Sequence, residues 1–456
     1  MALKFYNDLS RKKEIFNPLK ENEVSIYVCG PTIYDYAHLG HGRSAVAFDV
    51  LHRYLLYKKY KVKFVFNYTD IEDKMINRAN EEGITVKQLA DKFSKIYDED
   101  YAKLNVLRAY KNPKATEHIA EMIEIIKKLE KKKFTYFVEG DGVYYDVSKF
   151  KEYGKLSHQN LEDLKAGARV EIGEGKKSSH DFVLWKLQKP NEPAWDSPWG
   201  KGRPGWHIEC SAMAAKYLGE TIDIHGGGQD LIFPHHEDEI AQSEAANGKP
   251  FAKYWMHNGF VNINGEKMSK SLNNFYTLRD IFKQYDPLVV RYFFLSTHYR
   301  MPINFTFEAL SGVKSALERI QQAYFELAGV KKHGKVKLDV GDFRKRIEEA
   351  LDDDLNVSPA LAVVFDFVNE VYKNKEQLSA ESWKETVEFF KEIDSIFGIL
   401  KYEKAEIPLE VIKLAEERLL ARKNKDWKKS DELREKISKL GYVVGDTKEG
   451  YEVRKS

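Results

Sequence analysis

Residues with reactive side chains are concentrated near the start of the chain, where Cys29 is followed by His38, Gly40 and His41 within thirteen residues. The cysteine comes directly after the strand-like run 24–28, and the glycine stands where a helix is expected to begin. A cysteine thiolate binds soft metal ions, and the N-terminus of a helix binds phosphate. The spacing therefore favours a metal site beside a phosphate site, although an isolated His-x-Gly-His sequence is more often only a capped helix start.

Further ligand-type side chains lie in two later segments, at Cys210 and after Pro234. Proline suits the first turn of a helix, so His235 and Glu239, four residues apart, are expected to share one helix face. Together with Cys29 these residues offer two thiolates, an imidazole and a carboxylate, which is a ligand set for zinc. Residue types alone leave another interpretation open, because remote cysteines in a long chain are more often inert core thiols.

A third group consists of lysines and glycines. Lys267 and Lys270 belong to the sequence Lys-Met-Ser-Lys-Ser, and two ammonium groups on one loop can bind pyrophosphate as charge develops in a transition state. Upstream, Gly226 begins a triple glycine that leads to Asp230. These residues follow the predicted strand 221–225, and ligands bind at the carboxyl ends of strands in open α/β sheets. Taken alone, a short Lys/Ser string is usually a solvated loop.

The elements that position these residues alternate between strand and helix. Apolar runs predict strands over 24–28 and 62–67, and an apolar stripe predicts a helix over 42–57 between them. Such a unit with short loops gives a parallel strand pair with a right-handed crossover. We therefore expect an α/β fold with a doubly wound, Rossmann-like parallel sheet, an inserted domain, a helical bundle and a small mixed α/β C-terminal domain.

Composition limits the classes of function. The 456 residues are 43% hydrophobic and 32% charged, without the run of about 20 apolar residues that spans a bilayer and without a signal-peptide core. A cytoplasmic location without membrane association is expected. Two cysteines do not form a disulfide framework. Because the net charge is only +2, a nucleic-acid partner would have to be bound by a local basic patch, such as the five Lys/Arg of 421–430 beside Trp427.

The sequence from Cys29 to His41, the Gly226–Asp230 segment and the unchanged Lys-Met-Ser-Lys-Ser resemble the signatures of class I aminoacyl-tRNA synthetases, in the form found in cysteinyl-tRNA synthetases. The resemblance runs almost from end to end. It implies a ligase that joins L-cysteine to tRNA(Cys) through a cysteinyl-adenylate, using ATP with Mg²⁺. A monomer is expected.

The resemblance also implies a role for each motif residue. It implies catalytic roles for His38, His41, Lys267 and Lys270, and ATP contacts from these four together with Gly40, Gly226 and Asp230. It implies cysteine contacts from Cys29, Thr69 and Trp206, and one Zn²⁺ per chain bound by Cys29, Cys210, His235 and Glu239. By residue type alone, Trp206 would be a core tryptophan and Thr69 a helix cap. The implied zinc would account for rejection of serine, since an apolar pocket separates near-isosteres by only ~10–200-fold.

The same resemblance assigns roles to the predicted domains. The boundaries are 1–115 for the first half of the catalytic domain, 116–201 for a connective insertion, 202–270 for the second half of the catalytic domain, 271–311 for the region that follows the lysine signature and contacts the tRNA stem, 312–400 for the helical bundle and 401–456 for an anticodon-binding domain.

Two other functions remain open at this point. A ligase of the same fold that transfers activated cysteine to a small amine would keep the metal and nucleotide motifs but lack a tRNA-reading tail. The basic tail argues against it. An inactive, zinc-stabilised RNA-binding paralogue would not need the lysines and histidines of both signatures, which are intact here.

Overall fold

The computed structural model describes residues 1–159, 175–268, 274–403, 408–447 and 450–455. Within them the chain forms two compact units, residues 1–400 and 401–456. Lys270, a predicted catalytic and ATP-binding residue, lies outside the described residues.

The strands, in chain order, are β1 (Lys4–Asn7), β2 (Lys12–Ile15), β3 (Glu23–Val28), β4 (Lys61–Phe66), β5 (Thr135–Val138), β6 (Gly142–Tyr145), β7 (Phe182–Leu187), β8 (Gly202–Pro204), β9 (Ile222–Gly228), β10 (Ala252–Asn258), β11 (Val261–Ile263), β12 (Glu266–Lys267), β13 (Ile303–Phe305), β14 (Tyr442–Thr447) and β15 (Gly450–Lys455). The helices are α1 (Leu39–Tyr57), α2 (Asp73–Glu82), α3 (Val86–Lys103), α4 (Ile119–Lys131), α5 (Trp206–Leu218), α6 (Glu237–Asn247), α7 (Leu278–Phe282), α8 (Pro287–Leu295), α9 (Phe307–Ala328), α10 (Val340–Leu351), α11 (Val357–Asn374), α12 (Ala380–Phe397), α13 (Leu409–Lys423) and α14 (Trp427–Lys439).

A parallel sheet in the order β10-β9-β3-β4 forms the centre of the first unit. Strands β9 and β3 are its central members, and Ile26, Tyr27 and Val28 of β3 are fully buried between the layers. The predicted strand–helix–strand unit is confirmed, because β3 and β4 pair in parallel and α1 connects them. This arrangement brings the carboxyl ends of β3 and β9 to one edge of the sheet.

Helix α1 starts at Leu39, three residues before its predicted start, because His38 caps it. The helix is buried on nearly all sides rather than along one stripe. Its middle is fixed by Asp49, whose carboxylate lies 2.5 Å from Arg291 Nη2 and 2.7 Å from Arg53 Nε. This ion cluster connects α1 to α8.

The remaining parts of the first unit surround this sheet. An antiparallel sheet has the order β5-β6-β7-β8, and its first three strands lie in the region predicted as an insertion, whereas β8 follows directly after it. Helices α9 to α12 form the predicted bundle, with a continuous core that includes Leu317, Phe367 and Phe390. A second core cluster contains both cysteines, Cys29 and Cys210, together with Trp185 and Trp255.

The second unit, residues 401–456, consists of α13, α14 and the antiparallel pair β14–β15 around a small core of Val411, Ala415, Ile437 and Val444. The predicted fold class is thereby confirmed, from the parallel-sheet domain with its insertion to the mixed α/β C-terminal domain. Among the helices of the described residues, none has the length and apolar character that crossing a membrane requires.

Candidate metal and nucleotide site

Four predicted metal ligands come together at the carboxyl edge of the parallel sheet. Cys29 follows the last residue of β3, Cys210 lies in α5, and Glu239 lies in the first turn of α6. His235 comes from the turn that precedes α6. One ligand atom from each residue lies within 4.8 Å of the other three, and all four side chains are buried.

The individual distances fit a tetrahedral metal site. Cys29 Sγ lies 3.4 Å from Cys210 Sγ, 3.6 Å from His235 Nε2 and 3.2 Å from Glu239 Oε1. In a tetrahedral zinc site with Zn–S bonds of about 2.3 Å, two sulfur ligands lie about 3.8 Å apart. The two thiols, the imidazole and the carboxylate therefore need only small shifts to bind one zinc ion.

Electrostatics prepare this cluster for a cation. Burial raises the pKa of Glu239, but the neighbouring His225 and His235 reverse the effect and bring that pKa to about 2. Burial also acts against a Cys210 thiolate, yet the hydrogen bond with Cys29 and the contact with His235 lower the pKa of Cys210 to about 7. Burial raises the pKa of Cys29 well above its usual value. The thiol pair thus loses its first proton easily and its second with difficulty, and a bound cation favours both losses.

Further histidines surround the ligands, and the sequence did not single them out. His207 Nδ1 lies 2.8 Å from His235 Nδ1, and His225 Nε2 lies 2.8 Å from Glu239 Oε2. His236 packs against His225, with the ring centres 4.5 Å apart, and its Nδ1 lies 2.8 Å from His257 Nε2. Partners of this kind orient metal ligands and fix their tautomers. The sequence did contain a signal for two of these histidines, because His225 and His257 are polar residues inside apolar strand sequences.

The prediction that Pro234 lies in the first turn of a helix is confirmed. Pro234 and His235 belong to the helical turn Ile232–His236, which leads directly into α6 at Glu237. Phe233 is the residue of this turn with extended backbone angles, so the uninterrupted helical path starts at Pro234. His235 and Glu239 therefore share a helix face, as predicted, with 3.0 Å between Nε2 and Oε1.

The two predicted cysteine-binding residues outside the ligand set lie beside the cluster. Trp206 is 38% exposed and stacks on the His235 ring, with the ring centres 4.3 Å apart, so it is not a core tryptophan. Thr69 caps none of the helices in the described residues, and its hydroxyl donates to Glu209 Oε2 at 3.0 Å. Sequence analysis missed Glu209, whose side chain is fully buried and whose Oε1 has no hydrogen-bond partner among the described residues. Burial raises the pKa of Glu209 well above its usual value.

The predicted nucleotide residues begin at the N-terminus of α1. The side chains of His38 and His41 cap each other's backbone N–H groups, and their rings stack with centres 3.6 Å apart. A Cβ atom at Gly40 would lie 2.9 Å from His38 Cε1, so any larger residue there would displace the His38 ring.

The other nucleotide residues approach from neighbouring elements. Gly226 lies in the last part of β9, where a Cβ atom would collide with the ring of Phe48. Asp230 is exposed just beyond this strand. Lys267 ends β12 and is also exposed, with its ammonium 5.6 Å from the ring centre of Phe260.

The metal cluster and the nucleotide residues are directly connected. The backbone N–H of Cys29 donates to the carbonyl of Gly226 at 3.0 Å, across the pairing of β3 with β9. A small molecule whose side chain reaches the thiols would therefore have its other end close to the glycines. The arrangement places the two thiols beside the edge that carries the residues predicted to contact phosphate.

Comparisons with known proteins agree with this geometry. The family profile "tRNA synthetases class I (C) catalytic domain" matches residues 15–315, the profile "DALR domain" matches 346–401, and the profile "Cysteinyl-tRNA ligase anticodon binding domain" matches 404–454. The curated protein "Cysteine--tRNA ligase" of Caldicellulosiruptor saccharolyticus is 50% identical, over 99% of this chain and 100% of its own.

Solved structures of similar fold include methionyl-tRNA synthetase of Mycobacterium tuberculosis in complex with methionyl-adenylate, with a TM-score of 0.58, 14% identity and coverage of 82% of this chain and 89% of that one. A putative arginyl-tRNA synthetase from Campylobacter jejuni has a TM-score of 0.56, 13% identity and coverage of 86% of this chain and 95% of that one. At these identities the likeness concerns the fold alone.

Proposed function

This chain belongs to the cysteinyl-tRNA synthetase family, and on that premise we propose that it joins L-cysteine to tRNA(Cys) with ATP, using a bound zinc ion to select the substrate thiol. Membership follows from the 50% identity along nearly the whole chain and from the catalytic-domain match over 15–315. The observation that carries the zinc proposal is the convergence of four buried ligand atoms within 4.8 Å of one another. One of these ligands, Cys29, donates its backbone N–H to the Gly226 carbonyl.

We assign the metal to Cys29, Cys210, His235 and Glu239. Bound zinc would supply a soft cation that prefers sulfur to oxygen, so that serine, with a hydroxyl in place of the thiol, is rejected. The protein's own contribution is to keep the ligands dry and in place, since His225 and His207 orient Glu239 and His235.

Three residues would complete the amino-acid pocket. Trp206 presents a half-exposed ring that stacks on His235 and can cover the bound substrate. Thr69 and Glu209 offer polar atoms near Cys210, and Glu209 Oε1 is a buried acceptor without a partner among the described residues. A substrate ammonium is a donor of the right kind for such an oxygen.

Activation of the amino acid would take place at the adjoining nucleotide edge. The carboxylate of cysteine attacks the α-phosphate of ATP, the bond to the β-phosphate oxygen breaks, and pyrophosphate leaves with Mg²⁺. His38 and His41 donate hydrogen bonds to phosphate oxygens, Gly40 and Gly226 admit the nucleotide, and Asp230 contacts it at the edge. Lys267 and Lys270 neutralise the negative charge that develops on the leaving pyrophosphate. Catalysis is then mainly positioning and charge stabilisation.

Transfer to tRNA would follow. A terminal ribose hydroxyl attacks the carbonyl carbon of the cysteinyl-adenylate, and AMP leaves. The C-terminal unit offers a surface for the anticodon, because Trp427 is 55% exposed and the Arg422 guanidinium lies 5.3 Å from its ring centre. Aromatic rings and arginine planes of this kind stack on unpaired bases.

One assay pair tests the proposal. Cysteine-dependent exchange of pyrophosphate into ATP should proceed with the purified protein, and transfer of labelled cysteine to tRNA(Cys) should follow. Transfer to an amino-sugar acceptor in place of tRNA would favour the small-amine ligase, and absence of exchange in zinc-replete protein would favour the RNA-binding paralogue. We also propose a cytoplasmic location and a monomeric state. Light scattering on the purified chain tests the monomeric state.

A further inference from the structure

Tyr97 is buried against the nucleotide histidines, although it belongs to neither signature sequence. It lies on α3, its side chain is 1% exposed, and its hydroxyl oxygen is 3.1 Å from His41 Nδ1. Its ring packs edge-on against Tyr101 and Tyr68, with ring centres 5.7 and 6.2 Å away. The hydroxyl therefore has a fixed position.

The direction of this hydrogen bond follows from a second contact. The backbone N–H of His38 lies 3.3 Å from the same His41 Nδ1, and a backbone N–H can only donate. Nδ1 must therefore carry its lone pair, and Tyr97 must donate to it as well. The proton of the neutral imidazole is then on Nε2.

Charge states agree with this assignment. Burial, with a smaller contribution from His38, lowers the pKa of His41 well below its usual value, so the ring is neutral at pH 7. Burial and the neighbouring Tyr101 raise the pKa of Tyr97 well above its usual value, so its hydroxyl keeps its proton.

Of the two donors to Nδ1, the tyrosine hydroxyl is the closer one, and packing fixes its position. Both contacts are long for their kind, because 3.3 Å exceeds the ~2.7–3.2 Å of N–H donors and 3.1 Å exceeds the ~2.5–3.0 Å of hydroxyl donors. The backbone contact alone therefore holds the ring weakly, and the hydroxyl adds a second donor to the same atom.

We propose that Tyr97 is a positioning residue that holds His41 as the Nε2–H tautomer and so directs its single ring N–H toward the phosphates of ATP. This role rests on the proposed function, because it gives His41 the donor that amino-acid activation uses. A ring with the proton on Nδ1 would instead present a lone pair to a phosphate oxygen and repel it.

The test compares Tyr97→Phe with Tyr101→Phe. Both changes remove one hydroxyl from the same helix and the same aromatic cluster, but only Tyr97 contacts His41. Two readouts are measured on the full-length protein: kcat of cysteine-dependent ATP–pyrophosphate exchange, and the nitrogen-15 shifts of His41 in histidine-labelled protein, assigned with His41→Gln.

The expected result is a fall in kcat of about tenfold for Tyr97→Phe, with the KM for cysteine unchanged, since one net hydrogen bond corresponds to about that factor. The Nε2–H signature of His41 should give way to a mixture of tautomers. Tyr101→Phe should match the wild type in both readouts. Equal kcat values for the two variants, or an unchanged His41 tautomer in Tyr97→Phe, would overturn the inference. Wild-type protein without exchange would instead refute the proposed function, and the nitrogen shifts would still decide the tautomer.

Discussion

The metal cluster and the nucleotide edge meet at one hydrogen bond, yet they are built in opposite ways. Each of the four metal ligands is at most 7% exposed, and the ligands contact one another. On the nucleotide side, His38 and His41 are only partly buried and Lys267 and Asp230 are exposed. Under the proposed function this difference has a reason, because discrimination of sulfur from oxygen would need a dry, preformed set of ligands, whereas binding of ATP would need charges that a large solvated anion can reach.

This difference leads to a testable expectation about which property each region controls. Although Cys29 and Gly226 are joined at 3.0 Å, changes in the cluster should affect the choice of amino acid, and changes at the edge should affect the rate of activation. A variant that altered both in equal measure would contradict the separation.

The largest effect is expected from Cys210→Ser. Loss of one thiolate should remove zinc and lower kcat/KM for cysteine by about a thousandfold, since a bound metal contributes several kcal/mol of stabilisation. Metal analysis and exchange kinetics measure both quantities. Ser211→Ala, a change at the next residue of α5, should keep zinc and activity. Full zinc content with intact rejection of serine in Cys210→Ser would disprove the ligand assignment.

Lys267→Ala should have the next largest effect. Removing one ammonium from the nucleotide edge should lower kcat for exchange by about a hundredfold, the cost typical of one charge-stabilising donor. Zinc content and the KM for cysteine should not change. Lys283→Ala, an equally exposed ammonium that pairs with Asp280, is the matched control and should be silent. An unchanged exchange rate in Lys267→Ala would exclude this lysine from catalysis. By its match to the signature alone, Lys270→Ala should behave in the same way.

A smaller effect on the cluster side is expected from Thr69→Val. The change removes the hydroxyl that donates to Glu209 at 3.0 Å and leaves a buried carboxyl group without that partner. The KM for cysteine should rise about tenfold, as for the loss of one buried hydrogen bond, while the KM for ATP stays constant. Thr69→Ser keeps the hydroxyl and should resemble the wild type. Similar kinetics for the valine and serine variants would show that the hydroxyl has no role.

The smallest effect on turnover is expected from Asp49→Asn, which acts on stability. Burial raises the pKa of Asp49, but the charges of Arg291 and Arg53 outweigh this effect and lower it overall. The substitution leaves buried Arg291 without its carboxylate and should lower the free energy of unfolding by about 3 kcal/mol. Zinc content in the folded variant should be unchanged.

The pH dependence of that loss follows from the lowered pKa. The stabilisation is fully present above the unfolded-state pKa of about 3.9 and is lost as the pH falls through the folded-state value below it. Urea unfolding should therefore give a constant difference between wild type and Asp49→Asn from pH 7 to 5, which shrinks below about pH 4. The control is Asp91→Asn, whose carboxylate is 51% exposed and pairs with Lys87 and Lys114, and it should cost less than about 1 kcal/mol. Equal losses for both variants would contradict the account.

Sequence patterns predicted most of the frame, because hydrophobic periodicity and glycine positions are local signals. They located β3, α1 and β4 to within about three residues. The His-x-Gly-His sequence was weighed as a capped helix start, but the apolar stripe put the start of α1 at residue 42, and the structure shows that His38 and His41 cap a helix that begins at Leu39. The helix start at Pro234 was predicted, but the helical residue Ile232 and the extended Phe233 before it were not.

Only those site residues that belong to the family signatures could be predicted from the sequence. Glu209 and His225 lie next to motif residues, but their contacts are with remote segments. Glu209 accepts a hydrogen bond from Thr69, and His225 contacts Glu239. Tyr97 is in a helix whose sequence carries no chemical signal, and only packing brings its hydroxyl to His41. Long-range contacts of this kind are set by tertiary structure, which spacing along one sequence does not encode.

Zinc titration of the metal-depleted wild-type chain tests the central claim most directly. The measured quantity is the ratio of kcat/KM for cysteine to that for serine in ATP–pyrophosphate exchange, followed as zinc is added back. The account predicts that the ratio rises in proportion to bound zinc and levels off at one ion per chain. A metal-depleted chain that already prefers cysteine to the full extent, with a ratio that zinc does not alter, would contradict it.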